Sequence, residues 1–170
     1  VENTMSAEEI IAWATVLRFS LFPKDFVPFY QTYGHLIRTE QVVVENATVK
    51  KDVISPLREL DGRGVSAIST HRLAKHDQPL RGTKELVLGV GQNSQKAREF
   101  VQKENEAEGL IVIYYPLAKH DSMMVKEQLL PHFVMRAVNL TFAEAGINLP
   151  EMWQLAPANA EVFMLSSART

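Results

Sequence analysis

The 170-residue chain has no cysteine. This excludes disulfide frameworks, thiolate metal sites, thiol nucleophiles and thiol redox switching together. No apolar run approaches the roughly 18 residues that a membrane-spanning helix needs, so no membrane partner is expected. Charge of one sign is not in excess: 18 Lys and Arg face 20 Asp and Glu, a formal net charge of −2. That balance argues against a chain-wide nucleic-acid binder. Aromatic residues are few, and none lies between residues 50 and 84, so base stacking on that stretch is excluded. Val1-Glu2-Asn3-Thr4 is polar and acidic, unlike a signal peptide, and a cytoplasmic location is expected. The chain opens on Val1, which reads as a piece of a longer protein or as residues ahead of a start at Met5.

Hydrophobic residues at 46% and charged residues at 22% describe an ordinary globular chain. Ser6 and Glu9 form an S-x-x-E capping box, and Ile10, Trp13, Ala14 and Leu17 follow at helical spacing. The first helix is therefore expected to run to about Phe19. Phe26–Tyr33 reads as a second helix with Pro28 in its first turn. Its Phe26, Phe29, Tyr30 and Tyr33 form an inner face, and Gly34 stands at its end. Gln41–Glu45 and Thr48–Ile54 read as strands, paired as a hairpin across Asn46-Ala47. Gly64–Thr70 reads as a further strand and 71–83 as a loop.

Glu85–Tyr115 is the clearest unit. Leu86-Val87-Leu88 and Leu110–Tyr114 are short apolar strands flanking a helix that is capped at Asn93 or Ser94 and closed by Gly109. A strand, a helix and a strand in about 30 residues make a βαβ unit, with parallel strands at about 85–90 and 110–115. A long helix is expected from Ser122 to Ala145, with an apolar stripe and Pro131 as a point of bending. Glu161–Ser166 reads as a last strand. The fold class is thus α+β: one domain over 1–170, frayed at 1–5 and 167–170, with a mixed sheet and helices mainly on one face.

The pentapeptide Leu-Ala-Lys-His-Asp occurs twice, at 73–77 and 117–121. Each copy follows an expected strand. If those strand ends converge, His71, His76, Asp77, His120 and Asp121 share one sheet edge. Such a group offers imidazole and carboxylate ligands to a divalent ion, or an acid–base pair for a phosphodiester. The paired H-x-S/T motifs of two-histidine phosphoesterases are met by His120-Asp121-Ser122. They are not met by His71-Arg72-Leu73 or His76-Asp77-Gln78, so the resemblance breaks. No metal is assigned. Gly89-Val90-Gly91-Gln92-Asn93-Ser94 resembles the G-x-G-x-x-G dinucleotide turn with Ser94 in place of the third glycine. Tyr114-Tyr115-Pro116 stands where the ribose-binding acid belongs, so the segment is read as a tight βα turn and no cofactor is expected. His35 and His132 lie in apolar contexts and are read as structural.

Basic residues concentrate between 50 and 84: Lys50, Lys51, Arg58, Arg63, Arg72, Lys75, Arg81 and Lys84. The favoured expectation is a non-catalytic interaction domain of a larger assembly. It would grip a protein or nucleic-acid partner, through acidic groups or phosphate, on that segment. The alternative is a small phosphodiester hydrolase using the His and Asp residues of the two pentapeptides. Oligomeric state is left open.

Overall fold

The computed structural model describes residues 5–74 and 79–146, which fall into two compact units, Val1–Asp121 and Ser122–Thr170. Among the described residues no helix is long and apolar enough to cross a membrane.

The first unit opens with α1 (Ala7–Trp13), held by the expected reciprocal box: Ser6 Oγ accepts from Glu9 N at 3.2 Å and Glu9 Oε2 from Ser6 N at 2.7 Å. The helix stops at Trp13, well short of Phe19. Residues Val16–Phe19 instead form β1, with Leu17 and Phe19 buried and Arg18 exposed. Alternation over four residues outweighs the helical spacing once the chain end of α1 is satisfied from elsewhere. Gln41 Nε2 donates to Ile11 O and Ala14 O at 2.7 Å each, and Arg38 Nη1 donates to Ala12 O at 3.1 Å.

Helix α2 spans Pro23–Tyr33, so Pro23 takes the first-turn position and Pro28 lies in the helix interior. Strand β2 (Val42–Glu45) is as expected. The second half of the expected hairpin is not. Residues after Asn46 form a loop leading into α3 (Ile54–Gly62), because β2 pairs in parallel with β3 (Ser66–Leu73) and a parallel return needs a crossover. Strand β3 runs on through His71, which the sequence assigned to a loop.

Strands β4 (Lys84–Gly89) and β5 (Ile111–Tyr114) are parallel neighbours joined by α4 (Gln95–Glu108), as expected. Gly109 closes α4 at φ 72°, the left-handed position that glycine occupies without strain. The sheet is mixed, in the order β1-β2-β3-β4-β5, with β4 antiparallel to β3. Direction decides which face each helix covers. Right-handed crossovers from β1 to β2 and from β2 to β3 place α2 and α3 on one face. There Phe26 of α2 packs edge-on against Phe19 of β1, ring centroids 5.2 Å apart. Strand β4 runs the other way, so the same handedness puts α4 on the opposite face, where Ala97 and Val101 pack on Val42, Val44, Ile68 and Val87. Helix α5 (Leu117–Met124) returns to the face of α2 and α3. The helices are thus weighted to one face of a sheet consistent with a Rossmann-like α/β fold.

The second unit continues through a π turn (Val125–Leu129) into α6 (Leu130–Glu144). The π turn ends two residues before Pro131, whose ring has no amide to donate. The strand expected at 161–166 lies outside the described residues.

Candidate active site

Strands β1, β2 and β3 run in parallel, so their carboxyl ends meet at one edge of the sheet. That edge is where open α/β sheets bind ligands. Asn46, just past β2, ties the three ends together. Its Nδ2 donates to Ser20 Oγ at 3.2 Å, and its Oδ1 accepts from Thr70 Oγ1 at 3.3 Å. Two clefts open here and share Asn46 and Thr48. One, about 460 Å³, is lined by Ser20, Leu21, Phe22, Pro23, Ala47 and Val49. The other, about 390 Å³, is lined by Arg18, Thr70, His71 and Arg72 with Glu85, Glu104 and Glu108.

Beneath this edge lies a buried polar chain. His71 of β3 and His120 of α5 are 6% and 0% exposed, and His71 Nδ1 is 2.9 Å from His120 Nε2. His120 Nδ1 is 2.7 Å from Asp121 Oδ1. The Asp121 carboxylate also accepts from the backbone amides of Lys50 at 3.0 Å and Lys51 at 2.8 Å. Behind it, Lys50 Nζ lies 3.0 Å from Glu45 Oε2 and donates to Thr70 O at 2.7 Å. Ser69 Oγ donates to the same Glu45 oxygen at 2.7 Å, and Ala47 N donates to Glu45 Oε1. Both Lys50 and Glu45 are shut from solvent.

This network sets the protonation of His71. A carboxylate only accepts, so His120 Nδ1 carries the proton and its Nε2 is bare. His71 must then donate through Nδ1, leaving Nε2 as the basic atom of a neutral ring. Burial, with His120 and the Lys50 ammonium nearby, pushes His71 down to about 4. Burial also lowers His120, against the pull of Asp121. Burial works to raise Asp121, but the hydrogen bonds from His120 and the two amides win and hold it below the usual carboxylate range. Lys50 is lowered by burial despite its ion pair with Glu45. The group is a neutral imidazole, oriented from behind, at the carboxyl edge of the sheet.

The sequence placed five residues in a catalytic group. Three of them, His71, His120 and Asp121, meet; His76 and Asp77 lie outside the described residues. His35 and His132 are exposed. The sequence missed Glu45, Ser69 and Asn46. Only Glu45 carried a signal, as an acid closing the apolar run Val42-Val43-Val44. Among the described residues no His, Asp and Glu group is arranged to hold a metal.

The described basic residues of 50–84 stand in different surroundings. Lys50 is interior. Arg63 donates to Gly34 O at 2.8 Å and Ile37 O at 2.6 Å. Arg72 pairs with Glu85 at 3.0 Å and Glu108 at 3.2 Å, and Arg81 packs on Gly109. Lys51, Arg58 and Lys84 are exposed, and Lys75 is outside the described residues. The glycine turn at 89–94 is a tight βα turn, as expected. It lies at the far edge of the sheet and is already filled by Asp61, whose carboxylate accepts from Gln92 N at 3.2 Å and Asn93 N at 2.8 Å. A Cβ on Gly91 would fall 2.1 Å from Asp61 Oδ2. Asp61→Ala removes the acceptor for both amides and should cost about 1–2 kcal/mol, since the turn is solvent-accessible. Urea unfolding checks this, and an unchanged midpoint would refute it.

No protein-family model and no curated protein sequence matches the chain. Solved structures do. Prephenate dehydrogenase from Aquifex aeolicus superposes with a TM-score of 0.70 at 16% identity, covering 98% of this chain and 66% of that one. The A. aeolicus prephenate dehydrogenase in complex with hydroxyphenyl propionate and NAD+ gives 0.71 at 18%, covering 98% and 61%. Synechocystis arogenate dehydrogenase gives 0.66 at 16%, covering 93% and 60%. The chain therefore spans less than two thirds of the length of these neighbours, and the likeness is one of fold. It overturns the expectation of a non-catalytic domain that grips an anionic partner through residues 50–84, and that of a phosphodiesterase. Lys50, the first residue of the basic segment, is buried.

Proposed function

We propose that this chain is the substrate-facing part of a dehydrogenase-type catalytic domain, in which His71 is the general base. The carrying observation is the arrangement of His71: a neutral ring at the carboxyl edge, its Nδ1 committed to His120, its basicity left on Nε2. Oxidation of an alcohol carbon requires that its hydroxyl lose a proton, and a positioned neutral imidazole takes it. His120 and Asp121 hold the ring in the accepting tautomer. Asn46, Thr48 and Thr70 supply hydroxyl and amide groups around the cleft that His71 lines. Prephenate and arogenate, named for the structural neighbours, are the substrates to try first.

A nicotinamide dinucleotide such as the NAD+ of the A. aeolicus complex would need a glycine turn for its pyrophosphate. The turn after β1, Ser20-Leu21-Phe22, has no glycine, and the glycine turn at 89–94 is occupied by Asp61. The described residues supply a base and a substrate cleft but do not fit the pyrophosphate, and no step is derived through it.

The test is a titration with hydroxyphenyl propionate followed by NMR. The His71 ring and the Asn46 and Thr48 amides should shift together and saturably. His71→Ala should weaken binding by about tenfold, the loss of one hydrogen bond to a polar group. Shifts confined to other parts of the chain, or full affinity in His71→Ala, would overturn the assignment.

A further inference from the structure

The base does not sit at the end of its network but at one mouth of it. On the far side of the two buried rings, Asp121 has a side chain 35% exposed and lines a separate cleft of about 380 Å³ with Lys51, Ser55, Arg58 and Leu117. That cleft lies between α3 and α5 and shares no lining residue with the two clefts at the carboxyl edge. We propose that His71, His120 and Asp121 form a proton wire that carries the substrate's proton through the protein and releases it to solvent in this second cleft.

The proposal rests on His71 being the base. Each link has hydrogen-bond length: 2.9 Å between the rings and 2.7 Å from His120 to the carboxylate. The step balances in protons alone. The substrate O–H bond breaks and a proton joins His71 Nε2. The proton on His71 Nδ1 passes to His120 Nε2, and that on His120 Nδ1 passes to Asp121 Oδ1. Asp121 gives its proton to water in the cleft. Once product leaves, a proton re-entering at Asp121 returns along both rings and His71 Nε2 releases one to water, restoring the starting tautomers. Burial lowers both rings from the ordinary imidazole value, His71 to about 4, which brings them toward the carboxyl range. The amides of Lys50 and Lys51 favour departure of a proton from Asp121, since donors to a carboxylate keep it ionised.

The test reads the rings directly by 15N NMR on the intact chain with labelled histidine. Wild-type protein should show both Nδ1 atoms protonated and both Nε2 atoms bare. Exchange of the His120 Nδ1 proton with water should slow in Asp121→Asn by on the order of a hundredfold, the scale of a lost proton-transfer partner. Ser55→Trp, which fills the second cleft and leaves the wire intact, should slow it in the same direction and guards against misfolding of Asp121→Asn. Unchanged exchange in both variants would overturn the wire while leaving His71 as the base. A protonated Nε2 on neutral His71 would overturn the base itself, and the wire with it.

Discussion

Lys50→Met is expected to destabilise the first unit by about 3–5 kcal/mol, the cost of breaking a buried ion pair by removing one partner. Lys50 is 0% and Glu45 1% exposed. The substitution preserves much of the apolar stem and removes only the ammonium. Glu45 then keeps Ser69 and Ala47 as donors but loses the positive charge that justifies a carboxylate in the interior. Thr70 O loses its buried donor as well. A loss of that size is a large share of the 5–15 kcal/mol that holds most domains together. The double variant Lys50→Met with Glu45→Gln should recover part of the loss, because no uncompensated charge remains. Urea midpoints of the two single variants and the double variant give the coupling. Purely additive losses would show that the pair does not act as a unit.

Stability should also fall in mild acid, by about 3 kcal/mol from His71 alone between pH 6.5 and 4. The ring titrates near 6.5 in an unfolded chain and at about 4 in the fold. Between those values the unfolded state binds the extra proton, so stability rises with pH across the window and is complete above it. Lowering the pH removes it. The groups facing the ring act together: burial is the largest cause, His120 and Lys50 add to it, and Asp121 opposes it. His120, lowered in the same direction, steepens the fall, and Asp121 extends it to lower pH. Urea unfolding at pH 7 and pH 4.5 measures the difference. His71→Phe should flatten the dependence, whereas an equally steep fall in that variant would assign the acid sensitivity to other groups.

The parts of the fold legible in the sequence were those fixed by local chemistry. Ser6 and Glu9 announce the start of α1, and Gly109 closes α4 between two apolar strands. The end of α1 was not legible, because it depends on Gln41 and Arg38 reaching back across the fold to its last carbonyls. Thr48–Ile54 has strand-like residues, yet the parallel pairing of β2 with β3 forces a crossover there. The site shows the same division. The repeated pentapeptide drew attention to His120 and Asp121, but its identical residues end a strand at Leu73 and begin a helix at Leu117. His120 meets His71, because β3 extends through position 71 and points that ring at α5; His76 and Asp77 of the first copy lie outside the described residues. Lys50 looked like part of a surface for anions. Its burial follows from Glu45, the acid that closes the apolar run Val42-Val43-Val44 and pairs with it in the interior.

The most direct test of the account is the titration of the His71 ring by NMR, free and with hydroxyphenyl propionate. The account predicts a neutral ring down to about pH 4, its proton on Nδ1, with resonances that move when the ligand binds. A midpoint near the ordinary value of about 6.5, in a ring whose resonances ignore the ligand, would contradict it.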